Sequence, residues 1–283
     1  MVSMRFKATV ILSFLTVKSS WLLSLGPQSE RVLSETPETR TIAALLKVHQ
    51  AYDANGPIQL RRIGKEYDGG YIIPEVAVQK ADVVLGYGIG YDISFEDSAT
   101  AIYGKPSYGF DCAYSPIMPS QEQCHFVSSC IVGKEFTEQS SNLESFDRHL
   151  DRVGARDKKL FVKMDIEGNE YDTMPDILEN ACNITGIVLE IHFEEAKQIT
   201  QALHLMQALN QDFLLMHVHG NNGSSNGFET SNARGWIPRV LELTYINRCL
   251  IQKHEISSNQ AHPTSLDMPN VSHLPDVEFT ILE

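Results

Sequence analysis

The sequence has little cysteine and no basic excess, and each shortage closes off a class of function. Five cysteines in 283 residues, none in C-x-x-C spacing, supply neither a zinc ribbon nor a disulfide scaffold. Cys124 and Cys130 form the only close pair and read as buried free thiols. Lysine and arginine number 23 against 36 aspartates and glutamates, a formal net charge of −13. The basic footprint of a nucleic-acid binder is therefore missing, and no nucleic-acid partner is expected. No internal repeat is visible, which excludes solenoids and propellers. Long apolar runs are also missing. The one near the N-terminus, Ala8–Val17, is broken by Lys18 and is too short to span a bilayer comfortably.

What is present describes a globular α/β chain. Hydrophobic residues make up 42% and charged residues 21%, enough apolar surface for a large core. Residues 1–26 carry Arg5 and Lys7 before the apolar run, then Trp21-Leu22-Leu23. That is the layout of a signal peptide or a weak membrane anchor. It places the protein in the secretory pathway or at a membrane; a leader that never enters a membrane leaves it cytoplasmic. N-x-S/T sequons at Asn183, Asn222 and Asn270 fit the secretory route. Residues 27–80 read as a helix over 34–55, with Ser34 or Thr36 as cap and Pro37 in the first turn. The stretch RRIGKEYDGGYIIP then forms a hairpin or lid around Gly69-Gly70.

From 81 to 254 strands and helices alternate. Strands are expected at 83–85, 107–110, 125–132, 159–168, 184–193, 213–220 and 239–248. Helices are expected at 94–103, 142–152, 170–180 and 194–211. This alternation predicts a doubly wound, mostly parallel seven-stranded sheet of Rossmann-like type, preceded by an N-terminal helical segment. Residues 255–283 read as a polar loop and a last strand at 277–282.

Open parallel sheets bind ligands beyond the carboxyl ends of their strands. Those ends here carry Gly86-Tyr87-Gly88, Asp111, Asp165-Ile166-Glu167, Glu190-Ile191-His192 and His217-Val218-His219. Residues two apart share a face, so three strands deliver acids and imidazoles to one edge. The first turn, GYGIGYD, has three alternating glycines, but Tyr91 stands where a dinucleotide fingerprint needs its third glycine. Asp111, 25 residues after Gly86, suits the two hydroxyls of an adenosine ribose or the cap of a turn.

The octapeptide Lys163-Met164-Asp165-Ile166-Glu167-Gly168-Asn169-Glu170 resembles the K-x-D-x-E-G-x-E signature of FkbM-type methyltransferases. The element order from 82 to about 250 resembles an S-adenosylmethionine-dependent methyltransferase domain, and DGGYIIP and HVHGNN resemble a methyltransferase-like sub-branch. The resemblance implies S-adenosylmethionine as cofactor and methylation of a hydroxyl on a sugar-like or other small-molecule acceptor. It implies that Gly86, Tyr87, Gly88 and Gly90 cradle the cofactor, with Asp111 on the ribose. The first motif departs from the family form D-x-G-x-x-x-G: Gly86 replaces the acid and Asp92 the last glycine. The cofactor's amino group then needs another acid, Asp92 or Glu96. His219 is the favoured base, with His192 beside it, while Asp165 orients cofactor or substrate and Glu167 caps the next helix or holds Lys163. A metal-assisted version places a divalent ion on Asp165, His192 and His219. The rival readings are a metal-dependent hydrolase on a similar sheet and a non-catalytic binding module.

Overall fold

A computed structural model of the chain describes residues 32–33, 35–114, 117–139, 142–257 and 261–282. The leader at 1–26 and the capping role of Ser34 lie outside the described residues. The first helix, α1 (Pro37–Leu45), starts at Thr36 in a reciprocal capping box with Thr39, with Pro37 in its first turn. It ends well short of residue 55. His49–Asp53 is instead a strand, pairing with Gly56–Pro57 and Lys253–Ile256. The Asn55-Gly56 step is a turn signal that overrides the helical spacing upstream, and Asn55 donates its backbone N–H to Asp53 Oδ1 at 2.7 Å.

The expected hairpin forms from β1 (Leu60–Ile63) and β2 (Tyr71–Pro74), which pair antiparallel. After α2 (Glu75–Lys80) comes the sheet unit β3 (Val83–Tyr87), α3 (Ser94–Tyr103), β4 (Ser107–Asp111) and β5 (Cys124–Ser128). Then follow α4 (Phe146–Val153), β6 (Leu160–Met164), α5 (Glu170–Leu178), β7 (Ile184–His192), α6 (Ala196–Asp212), β8 (Phe213–Gly220) and β9 (Val240–Asn247). The seven strands lie in the order β8-β9-β7-β6-β3-β4-β5. Only β9 runs antiparallel to its neighbours β7 and β8, so the sheet is the mostly parallel one that the alternation predicts.

Both faces of the sheet are covered. Ile42 of α1, Leu150 of α4, Ile177 of α5 and Leu205 of α6 close one core. Tyr71 and Ile73 of the hairpin, Val78 of α2 and Phe95 of α3 close the other. Burial on two sides explains why β7 is nearly continuous in apolar residues and why its Glu190 and His192 stand out.

Two expectations need correction. The strand expected over 125–132 divides at Ser129, and Cys130–Ile131 pairs with Leu143–Glu144, so α4 begins only at its Ser145 cap. Cys130 is not a free thiol but forms a disulfide with Cys112, their Cα atoms 5.0 Å apart. Parallel pairing of β4 with β5 brings the two strand ends together despite a sequence separation of 18. Cys124 is free and buried as expected. The tail returns to the sheet: Asp267 reaches His217 and Asp276 reaches His219.

Candidate functional site

A cleft opens at the carboxyl ends of β3, β4 and β6, walled on one side by the β1–β2 hairpin. Gly88, Gly90, Asp92, Glu96, Asp111, Lys163 and Asp165 line it, with Lys65, Asp68 and Tyr71 from the hairpin side. The glycine turn is shaped by what presses on it. Gly88 has φ +76°, and a Cβ there would overlap the Asp165 carbonyl oxygen. At Gly86 a Cβ would overlap Glu96 Oε1. The absent side chain at 86 is thus the space that the Glu96 carboxyl fills from the first turn of α3. Tyr87 contributes backbone alone; its ring stacks on Phe110 at 5.0 Å inside the core.

Glu96 is fully buried and its Oε1 has no hydrogen-bond partner. Burial pushes its pKa up to about 7, against the pull of the Lys163 cation. Asp92 is differently placed. It accepts from the backbone N–H and hydroxyl of Ser94 and pairs with Lys65 Nζ at 3.2 Å, so it holds the start of α3. Asp111 accepts the backbone N–H of Gly90 at 2.8 Å and that of Ala113 at 2.7 Å. It therefore pins the turn it faces. Lys163, a charge inside a buried strand, donates to the Gly88 carbonyl at 2.9 Å.

Beyond the cleft the sheet edge carries more charge. Asp165 Oδ2 accepts the Tyr71 hydroxyl at 3.0 Å, while Oδ1 is buried without a partner. Among the described residues, Asp165, Glu190 and His192 each offer a ligand atom, all within 4.8 Å of one another. Glu190 is pushed up to about 8 by burial and by the nearby Asp165. Burial works against a charge on His192, but Glu170 and Glu190 outweigh it and raise its pKa well above the usual histidine value. Glu170, not Glu167, closes the turn before α5, accepting the backbone N–H groups of Ile166 and Gly168. Lys163 is held by carbonyls rather than by Glu167, whose φ of +57° turns its carboxylate to within 3.7 Å of His192 Nε2.

His219 lies elsewhere. Its Nδ1 is 3.3 Å from Glu242 and its Nε2 is 3.1 Å from Asp276. Burial opposes its charge, yet these carboxylates raise it to about 11. An imidazole that keeps its proton at neutral pH is a poor base, and Glu190 takes its place beside Asp165 and His192. Tyr71 and Lys163 are neighbours that the spacing did not single out. Lys163 opens the octapeptide and interrupts the apolar run LFVKM, and Tyr71 lies within DGGYIIP, but nothing local set the two beside Asp165.

A family model described as the methyltransferase FkbM domain matches residues 76–241, more than half of the chain. The chain belongs to the FkbM methyltransferase family. No curated protein and no solved structure matches it. In this FkbM methyltransferase the acid usual at the first motif is missing from β3, and a carboxyl from α3 occupies the vacated space. Of the two sequons nearest this edge, Asn222 is engaged by its amide with Val271, Leu274 and Pro275 carbonyls, and Asn270 donates to Glu242.

Proposed function

We propose that the protein is an S-adenosylmethionine-dependent O-methyltransferase acting on a hydroxyl of a sugar-like or other small hydroxylated acceptor. The observation that carries this reading is Glu96: a fully buried carboxyl with a partnerless oxygen, aimed into the glycine turn of an FkbM domain. A buried acid of that kind calls for a cation, and the cofactor's amino group is one. Asp111, at the other side of the same turn, has oxygen lone pairs left for the ribose hydroxyls after accepting two backbone N–H groups. When bound, the cofactor supplies an electrophilic methyl group on a sulfonium.

The chain's own residues supply alignment and a proton acceptor. Asp165 lines the cleft with Oδ1 unpartnered, and Tyr71 fixes the carboxyl plane through Oδ2. Asp165 Oδ1 would take the proton of an acceptor hydroxyl aligned in the cleft, while a cofactor held at the glycine turn by Glu96 and Asp111 would supply the methyl group. His219 supports the edge as a charged strut and does not take part.

Transfer of labelled methyl groups to a panel of hydroxylated small molecules tests this reading. Asp165→Asn is expected to cut turnover about 10²–10⁴-fold with cofactor affinity little changed. Equal turnover in wild type and variant would remove Asp165 as the base. The Cys112–Cys130 disulfide supports an oxidising, secretory location, in line with the leader. Among the described residues no helix is long and apolar enough to cross a membrane, so the proposed membrane association rests on the leader.

A further inference from the structure

The sheet edge beside the cleft is crowded with carboxyl groups. Asp68 and Asp165 line the same cleft, Glu167 closes on His192, and Glu242 lies in register with Glu190 on the neighbouring strand. Against these stand Lys163, already tied to the Gly88 carbonyl, Lys65, already paired with Asp92, and His219, already bracketed by two carboxylates. In the middle, one carboxylate oxygen of Asp165, one of Glu190 and a ring nitrogen of His192 converge within 4.8 Å.

Two further features separate this group from an ordinary run of acids. Asp165 Oδ1 is buried with no donor, while its Oδ2 is clamped by the Tyr71 hydroxyl, so one oxygen is held with a lone pair to spare. His192 is 8% exposed, and its Nδ1 has no hydrogen bond but lies 3.4 Å from Glu170 Oε1, a carboxylate with no exposure at all. A carboxylate behind the far nitrogen of a histidine orients the ring and makes its near nitrogen a better ligand. The near nitrogen, Nε2, is the one that faces Glu190 at 3.1 Å.

We infer that Asp165, Glu190 and His192 bind a divalent cation, with Glu170 as the positioning residue behind the imidazole. Two carboxylates and one imidazole, with no thiolate, suit a hard-to-borderline ion such as Mn²⁺ better than a soft one. Three protein ligands leave positions for water or for oxygens of an acceptor. An ion there would polarise the acceptor hydroxyl next to Asp165 and favour acceptors that present adjacent hydroxyls. That role rests on the methyltransferase reading; binding of the ion does not.

The test is titration of Mn²⁺ into the full chain without cofactor, followed by loss of the free-ion signal in electron paramagnetic resonance. One ion per chain is expected. Glu190→Gln and Asp165→Asn should each weaken binding at least about tenfold, and Glu170→Gln about 10- to 100-fold by loosening the imidazole. Circular dichroism melting identifies any variant that fails to fold, and two near-isosteric ligand variants guard against losing one. Absent binding, or binding equally strong in all folded variants, overturns the site. A parallel calorimetric titration with S-adenosylmethionine in metal-free buffer keeps the two ideas apart: cofactor binding without Mn²⁺ binding overturns the cation site alone, and the converse leaves the cation site standing without its catalytic role.

Discussion

Replacing Glu96 by glutamine should move stability and affinity in opposite directions. The carboxyl is buried, its ordinary pKa is 4.5, and the fold raises it to about 7. A carboxyl with a raised folded pKa binds its proton more tightly in the native state. Its favourable contribution is complete below pH 4.5 and is lost as pH rises through about 7. Each pKa unit corresponds to about 1.4 kcal/mol, so the ionised group costs the unliganded fold roughly 3–4 kcal/mol at pH 8. Glutamine has nearly the same shape and no charge to bury. Glu96→Gln should therefore melt about 6–14 °C above wild type at pH 8, with the difference vanishing near pH 4. Cofactor affinity should fall in the same variant, because a charge-assisted hydrogen bond of about 1.5–3 kcal/mol is removed, roughly 10- to 150-fold in Kd. Differential scanning calorimetry at both pH values and isothermal titration with S-adenosylmethionine measure the two effects. A variant that melts lower at pH 8 and binds as tightly as wild type would make Glu96 a structural residue and remove it from the cofactor site.

Asp111→Ala should weaken cofactor binding by about 10- to 150-fold in calorimetry, and it should also loosen the turn by releasing the Gly90 and Ala113 N–H groups. Gly88→Ala forces a Cβ onto the Asp165 carbonyl at φ +76°, so its unfolding midpoint in urea should drop and its cofactor binding disappear together. His219, raised from 6.5 to about 11, gives stability that is complete below pH 6.5 and lost as pH rises through about 11. His219→Gln should accordingly lower the melting temperature at pH 7 while leaving turnover within about tenfold of wild type, against the 10²–10⁴ expected of a base. Deletion of residues 1–26 should leave the domain folded by circular dichroism and change its location in cells.

The order of strands and helices was legible because it rests on periodicity and on turn chemistry, both local. Ser94–Tyr103, Ile184–His192 and Phe213–Gly220 fall where the spacing places them. The helix expected to run to residue 55 was stopped by a local turn signal at Asn55-Gly56, whereas the misses around the site share one cause, long-range placement. Cys112 and Cys130 meet only because β4 and β5 pair in parallel. His219 read as a free base because its partner Asp276 lies 57 residues later, in a tail with no periodicity. Tyr71 reaches Asp165 across 94 positions through a hairpin whose docking no local pattern encodes. Glu96 and Asp92 were equivalent acids in the linear text. Burial separates them, since the serine and lysine around Asp92 satisfy it and nothing satisfies Glu96 Oε1.

In the proposed function this FkbM domain holds S-adenosylmethionine through the Glu96 carboxyl in place of the missing first-motif acid. Calorimetric titration of the cofactor into the intact protein and into Glu96→Gln tests it most directly. One cofactor per wild-type chain and a roughly 10- to 150-fold weaker Kd in the variant are expected. Absence of binding to wild type, or equal affinity in the two proteins, would contradict it.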